Sequence, residues 1–230
     1  MIGIDGCKGG WIAVAGDDGR ALAYRTCASL QQLLDESPDD VVGIDMPIGL
    51  LDAGRRGGRT ADAEARRLLP GFAASIFSAP VRPALDHPHD YRAAHAASVA
   101  SSSDGVGLSR QSHALTRKIA EVDTLMTPAL QSRVREVHPE LSFAEMNGGP
   151  LSHRKRSGAG FFERLRLLEA CGVFVPERSA ADEGLRFAVD DLLDAMAAWW
   201  TARRIAEGVA EAVPAEAEYD SRGLAMQVWR

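Results

Sequence analysis

Cysteine is scarce in this chain: Cys7, Cys27 and Cys171 are the only three, far apart and odd in number. They form neither a CxxC pair nor a Cys/His zinc spacing. This excludes a disulfide framework and a zinc module, and fits the reduced thiols of a cytosolic protein. Long apolar runs are also missing. The longest, around Leu192 to Trp200, is broken by Asp194 and falls short of a membrane span. No basic stretch followed by an apolar one opens the sequence, so the expected location is the cytoplasm, away from any membrane. Aromatic residues make up 6%, with no visible platform for stacking bases. Positive charge is in deficit, with 26 Lys and Arg against 32 Asp and Glu, a net charge of −6 and a pI near 5.5. The broad basic footprint of a nucleic-acid-binding protein is therefore absent, although a local patch would suffice.

What remains is an ordinary folded composition. The chain has 230 residues, of which 46% are hydrophobic and 25% charged, which suits one large domain and makes global disorder untenable. Residues 1–230 are expected to form a single domain. Its most distinctive feature is an echo: IGIDG at residues 2–6 and VGIDM at residues 42–46. Two apolar runs end in the same Gly-Ile-Asp phrase, and no other internal repeat is visible.

The pattern predicts strands at Met1–Asp5, Trp11–Ala15 and Ala21–Thr26, with Asp17-Asp18-Gly19 as a turn. Leu30, Leu33 and Leu34 predict a helix over Ser29–Glu36, stopped by Ser37-Pro38, and Val41–Met46 predicts a fourth strand. The helix between the third and fourth strands permits a crossover that lays the fourth parallel to the first. Residues 51–130 lose strand character and read as a helical insertion, with a mobile serine-rich piece at Ser98–Ser103. Arg133–His138 predicts a fifth strand. Helices follow at Phe161–Ala170 and Val189–Glu207, and Leu224–Trp229 is expected to add an edge strand.

Each aspartate of the echo, taken alone, reads as a turn residue at a strand end. Together they read as a pair. Both sit at the carboxyl ends of strands expected to be parallel, where ligands of open α/β sheets gather. Close carboxylates repel, and a divalent cation relieves the conflict. Glu136 and His138 share a face of the fifth strand, with Glu140 just beyond. In the last helix Asp191 lies on a stripe continued by Ala195, Ala198 and Ala202, with Asp194 beside it. Small residues let a helix approach a sheet closely, so Asp191 is expected to be carried toward it. Acids in a first helical turn also suit the helix dipole, which accounts for Asp190.

Basic groups occur at Arg55–Arg59, at Arg82 and at His153-Arg154-Lys155-Arg156. A glycine-flanked basic loop that leads into a helix can hold phosphate. Arg59, Asp62 and Arg66 are spaced as an ion-pair ladder on one helix face.

Taken in order, GIDGCKGGW, GIDMPIGL, SIFSAPVRP, GLSRQ followed by IAEVD, EVHPELSF, HRK ahead of a glycine-led helix, and DDLLDA resemble the DUF429 family, over about Ile2 to Gln227. The resemblance implies a ribonuclease H-like fold: a mixed five-stranded sheet flanked by helices, with the helical insertion after the fourth strand. It implies a nuclease that holds Mg²⁺ or Mn²⁺ with one acid from the first strand, one from the fourth and one or two from a late helix. Carried onto this sequence, those are Asp5, Asp45, and Asp191 with Asp194; Glu136 would add a fifth carboxylate. The implied chemistry is two-metal phosphodiester hydrolysis, with the metal held by Asp5, Asp45 and Asp191. Chemistry alone, outside the family pattern, offers Lys155 or Arg154 for the phosphate charge and His138 for proton transfer.

The expected substrate is a nucleic acid or a small phosphodiester, and a homodimer whose joint surface builds a groove is compatible with the sequence. Two rival readings stand beside the nuclease. One is a binding or regulatory protein that keeps the acids for a metal or a small phosphorylated ligand without turnover. The other follows Gly6, Lys8, Gly9 and Gly10 after Asp5 toward the phosphate loop of actin-like ATPases and sugar kinases. Those proteins need two facing domains, which a single core of this length does not supply.

Overall fold

In the computed structural model, which describes residues 1–230, the opening strands follow from alternation of apolar and small residues. Strand β1 (Ile2–Cys7) turns through Lys8 and Gly9 into β2 (Gly10–Ala15). Gly9 takes φ +93°, the left-handed backbone that a two-residue hairpin loop demands. Strand β3 (Ala23–Cys27) pairs antiparallel with β2. Helix α1 (Leu30–Asp35) starts where the Ser29 hydroxyl accepts from the Gln32 amide, and buries Leu30, Leu33 and Leu34. The crossover then delivers β4 (Val42–Ile44) parallel to β1.

Residues 47–132 contain α2 (Thr60–Leu68), two short 3₁₀ turns, and α3 (Tyr91–Ser101), α4 (Arg110–Ala114), α5 (Thr116–Leu125) and α6 (Pro128–Gln131). The expected helical character of the insertion is present. Ser98 to Ser101 close α3, with the buried Ser98 hydroxyl donating to Val106 O, and Ser102 and Ser103 lie beyond the helix end. The chain continues through β5 (Val134–Glu136), α7 (Pro139–Asn147), α8 (Gly158–Ala170), β6 (Glu177–Arg178), α9 (Val189–Ala206), β7 (Ala212–Tyr219) and β8 (Ala225–Trp229).

The main sheet has the order β5-β4-β1-β2-β3-β6. It is mixed: β1-β4, β4-β5 and β3-β6 are parallel, β1-β2 and β2-β3 antiparallel. The sheet thus has six strands where five were expected. The sixth, β6, is two exposed residues with no apolar alternation to betray it. The edge strand expected at Leu224–Trp229 pairs with β7 in a separate two-stranded sheet, and only Trp229 reaches the main sheet, in a parallel bridge to Val137 just past β5. Strand β7 escaped sequence reading because AVPAEAEY mixes a proline and two glutamates into its alternation.

Two compact units result. One comprises residues 1–46, 133–211 and 229–230, and contains the six-stranded sheet with α1, α7, α8 and α9. The other comprises residues 47–132 and 212–228, and contains α2 to α6 with most of the β7-β8 hairpin.

The core of the first unit is α9 on the sheet. From Leu193 to Ala202 every residue of α9 is buried, as befits a helix that is packed all round. Two glycines set how close it comes. A Cβ on Gly3 would stand 2.1 Å from both Ala195 O and Trp199 N, and one on Gly43 would stand 2.5 Å from Ala198 O. The helix backbone lies directly on the strands, and Trp199 Nε1 donates to Gly16 O at 2.9 Å.

Candidate metal centre

The register of the sheet accounts for the echoed phrase. Gly3 pairs with Gly43 and Ile4 with Ile44, so the two GID triplets lie side by side in parallel strands. The Asp45 amide extends the ladder by donating to Ile4 O at 2.9 Å. Side chains alternate along a strand, so Asp5 and Asp45 emerge on the same face as Gly3 and Gly43, which is the face that carries α9. Where the glycines admit the helix, the aspartates one step further meet its first turns. Asp194 of α9 arrives there, and one carboxylate oxygen from each of Asp5, Asp45 and Asp194 lies within 4.8 Å of the others.

The cluster is electrostatically loaded. Burial, then the charges of Asp45, Asp194 and Asp191, push the Asp5 carboxyl well above the usual carboxylate range. Burial and Asp194 do the same to Asp45, with Glu136 and Glu140 adding to the effect. Asp194, only 2% exposed, is raised to about 6 by burial even though Lys155 pulls it down. Lys155 Nζ donates to Asp194 Oδ2 at 2.6 Å and stands 3.9 Å from Asp190 Oδ2. Burial works against its charge, but Asp194, Asp45 and Asp5 outweigh it and hold the ammonium above its ordinary range. Asp194 Oδ1 is buried and receives no hydrogen bond. Three hard oxygen donors, with one buried lone-pair site unsatisfied, are a donor set able to hold a metal ion.

The other predicted residues are distributed around this trio. Glu136, buried at the end of β5 and paired in register with Ile44, adds negative charge beside Asp45. Asp191 does not join the compact group: its Oδ2 accepts from the Ala188 amide at 2.8 Å, closing the first turn of α9, while its charge reaches Asp5. The late-helix acid that meets the two strand aspartates is therefore Asp194, one turn further on. His138 is the N-cap of α7, its Nδ1 accepting from the Glu140 amide at 3.3 Å. Of the basic loop, Lys155 turns to the acids and Arg154 is exposed.

The basic groups at residues 55–59 and at Arg82 have structural partners. Arg59 and Asp62 form a buried pair at 2.6 Å, and Arg66 donates to Ile76 O, Gly57 O and the Ser78 hydroxyl, so the expected ladder is one ion pair plus a loop clamp. Arg82 binds Asp52, Asp123 and Asp220.

Sequence reasoning gave no role to Arg164, which supports the site from behind. Its guanidinium, 1% exposed, makes a two-pronged pair with Glu140 at 2.7 and 2.8 Å and also donates to His153 O at 3.1 Å and Gly160 O at 3.0 Å. The loop that carries Lys155 is thereby tied to α7 and α8. An arginine among leucines in RLRLLEA gives no linear sign of this; the only hint was the acid-rich EVHPE stretch needing a counterion.

The fold and site define a mixed α/β protein with a buried carboxylate trio able to hold a metal ion. The chain belongs to the DUF429 family, whose model, described as a protein of unknown function, matches residues 3–219. No curated protein and no solved structure gives a match. No helix is long and apolar enough to cross a membrane.

Proposed function

We propose that this protein is a metal-dependent phosphodiester hydrolase of ribonuclease H-like type, acting on a nucleic acid or a small phosphodiester in the cytoplasm. The observation that carries the reading is the convergence of Asp5, Asp45 and Asp194 from two adjacent parallel strands and one helix, with Asp194 Oδ1 buried and unpartnered. The chain order of three antiparallel strands, a crossover helix, two parallel strands and a late acidic helix also agrees with what the family resemblance implies.

Asp5, Asp45 and Asp194 would hold Mg²⁺ or Mn²⁺, with Glu136 and Asp191 enriching the negative field around them. Once bound, the cation supplies Lewis acidity for the attacking water and for the departing oxygen. Hydrolysis joins the water oxygen to phosphorus and breaks the bond from phosphorus to the 3′ oxygen. His138 is the candidate to take the proton that the attacking water loses, and solvent would return a proton to the oxygen that leaves. Lys155 faces the negative charge of the phosphate. An open groove of about 660 Å³ adjoins Lys155 and is lined by Arg156, Ser157, Asp190 and Asp191, though by none of the three clustered aspartates.

The decisive assay is Mn²⁺-dependent cleavage of single-stranded, double-stranded, hybrid and branched nucleic acids and of a small chromogenic phosphodiester. Wild type should cleave at least one of them, and Asp5→Asn prepared in parallel should not. Equal traces in both would reveal a contaminant. Silence across the panel would sink hydrolysis and leave a metal- or phosphate-binding protein.

A further inference from the structure

A centre that holds two divalent ions needs carboxylates that present oxygens to both. Here a carboxylate oxygen from each of Asp5, Asp45 and Asp194 lies within 4.8 Å of the other two. Such a cluster could hold one divalent ion. At Asp194 one oxygen is already engaged by a cation: Oδ2 accepts from Lys155 Nζ at 2.6 Å. Asp194 is thus divided, with Oδ1 buried and without a hydrogen bond and Oδ2 neutralised by an ammonium.

Lys155 is held there by its surroundings. Arg164 grips the loop through His153 O, two residues before Lys155, and through Gly160 O, and it is itself locked on Glu140. Ser157, two residues after Lys155, caps α8 by accepting from the Gly160 amide at 3.0 Å. Gly160 has no alternative, since a Cβ would stand 2.0 Å from Arg154 O. The residue type also fits. Of 26 basic side chains only Lys8, Lys118 and Lys155 are lysines, and one of them faces the acids. An ammonium is a compact point charge, whereas a guanidinium is a wide planar fork.

We propose that this centre works with a single divalent ion and that the Lys155 ammonium occupies the place of a second, neutralising Asp194 Oδ2 and facing the phosphate. The inference rests on the metal-dependent reading of the site and departs from the two-ion arrangement that the family resemblance implies.

The test is binding of Mn²⁺ to the full chain at pH 8, by calorimetric stoichiometry and by electron paramagnetic resonance, for wild type, Lys155→Met and Lys155→Arg. Wild type is expected to bind one Mn²⁺ with the six-line spectrum of an isolated ion. Lys155→Met, which keeps the length of the side chain and removes its charge, is expected to bind Mn²⁺ at least about tenfold more tightly or to take up a second, spin-coupled ion. Lys155→Arg should retain a stoichiometry of one. Two coupled ions in wild type would overturn the inference while leaving the metal reading intact. Unchanged stoichiometry and affinity in Lys155→Met would overturn it too. Absence of Mn²⁺ binding by wild type would overturn the metal reading itself, and the inference with it. Thermal melts in EDTA establish that each variant is folded before it is loaded.

Discussion

Gly3 of β1 and Trp199 of α9 are in backbone contact: a Cβ on Gly3 would lie 2.1 Å from Trp199 N and 2.7 Å from its Cα. Two residues along the same face of the strand, Asp5 meets Asp194, roughly one helical turn before Trp199. The closeness of helix and sheet at the glycines is thus what brings the carboxylates together.

The first prediction concerns that contact. Gly3→Ala places a methyl group inside a backbone, with no flexible side chain to yield. It should destabilise the chain by roughly 3 kcal/mol or more and weaken metal binding, because α9 must lift. Chemical denaturation combined with Mn²⁺ titration checks both effects. A stable variant with intact binding would mean that α9 does not lie on β1 as described.

A second prediction concerns stability and pH. In the unfolded chain the three aspartates ionise near the ordinary value of 3.8, whereas in the folded chain Asp194 ionises near about 6 and Asp5 and Asp45 are raised well above that ordinary value. Between the two values the folded state binds more protons, so stability of the metal-free protein falls as pH rises from about 4 through about 6 and beyond. Mg²⁺ or Mn²⁺ should reverse the loss, with a stabilisation that grows with pH. Melting temperatures at pH 5 and pH 8, in EDTA and in Mg²⁺, give the comparison. A metal-free protein that is no less stable at pH 8 would contradict the crowding of charge.

Removing one charge from the trio should stabilise the empty site. Asp45→Asn is expected to gain about 1 kcal/mol at pH 8 in EDTA and to lose the stabilisation by Mn²⁺. Loss of stability in EDTA would instead give Asp45 a structural role.

The fourth prediction concerns the support behind Lys155. Arg164→Ala leaves Glu140 charged, buried and without its partner, at a cost of roughly 3–5 kcal/mol. Where the variant still folds at low temperature, the loosened loop should also shift Mn²⁺ affinity in the direction of Lys155→Met. Glu140→Gln keeps one oxygen acceptor for Arg164 and should cost less. Equal costs for the two would show that the ion pair is not what holds the loop.

Much of the site was legible in the sequence, because local alternation fixes which face a strand residue takes. The GID echo implied two strand-end carboxylates side by side, and the pairing of Ile4 with Ile44 puts them there. The acidic opening of the last helix marked it as the third contributor, and the alanine stripe marked its approach to the sheet. Which acid it contributes was not legible. Asp191 and Asp194 lie on neighbouring faces of one helix, and only the rotation and depth of α9, fixed where its backbone touches Gly3 and Gly43, bring Asp194 to the strands and leave Asp191 to close the first turn.

Local pattern was enough for the first four strands, the helix that permits the crossover, the helical insertion and the residues able to bear charge, since alternation and helical spacing depend on neighbours within a few positions. Tertiary structure decided the two-residue strand β6, the β7-β8 hairpin, the capping role of His138, the pairing of Glu140 with Arg164, and the turning of Lys155 onto Asp194. Each of these joins segments or chooses among rotations that linear spacing leaves equivalent. Burial settles them, because a charge taken out of water must find its partner wherever the fold brings one within reach.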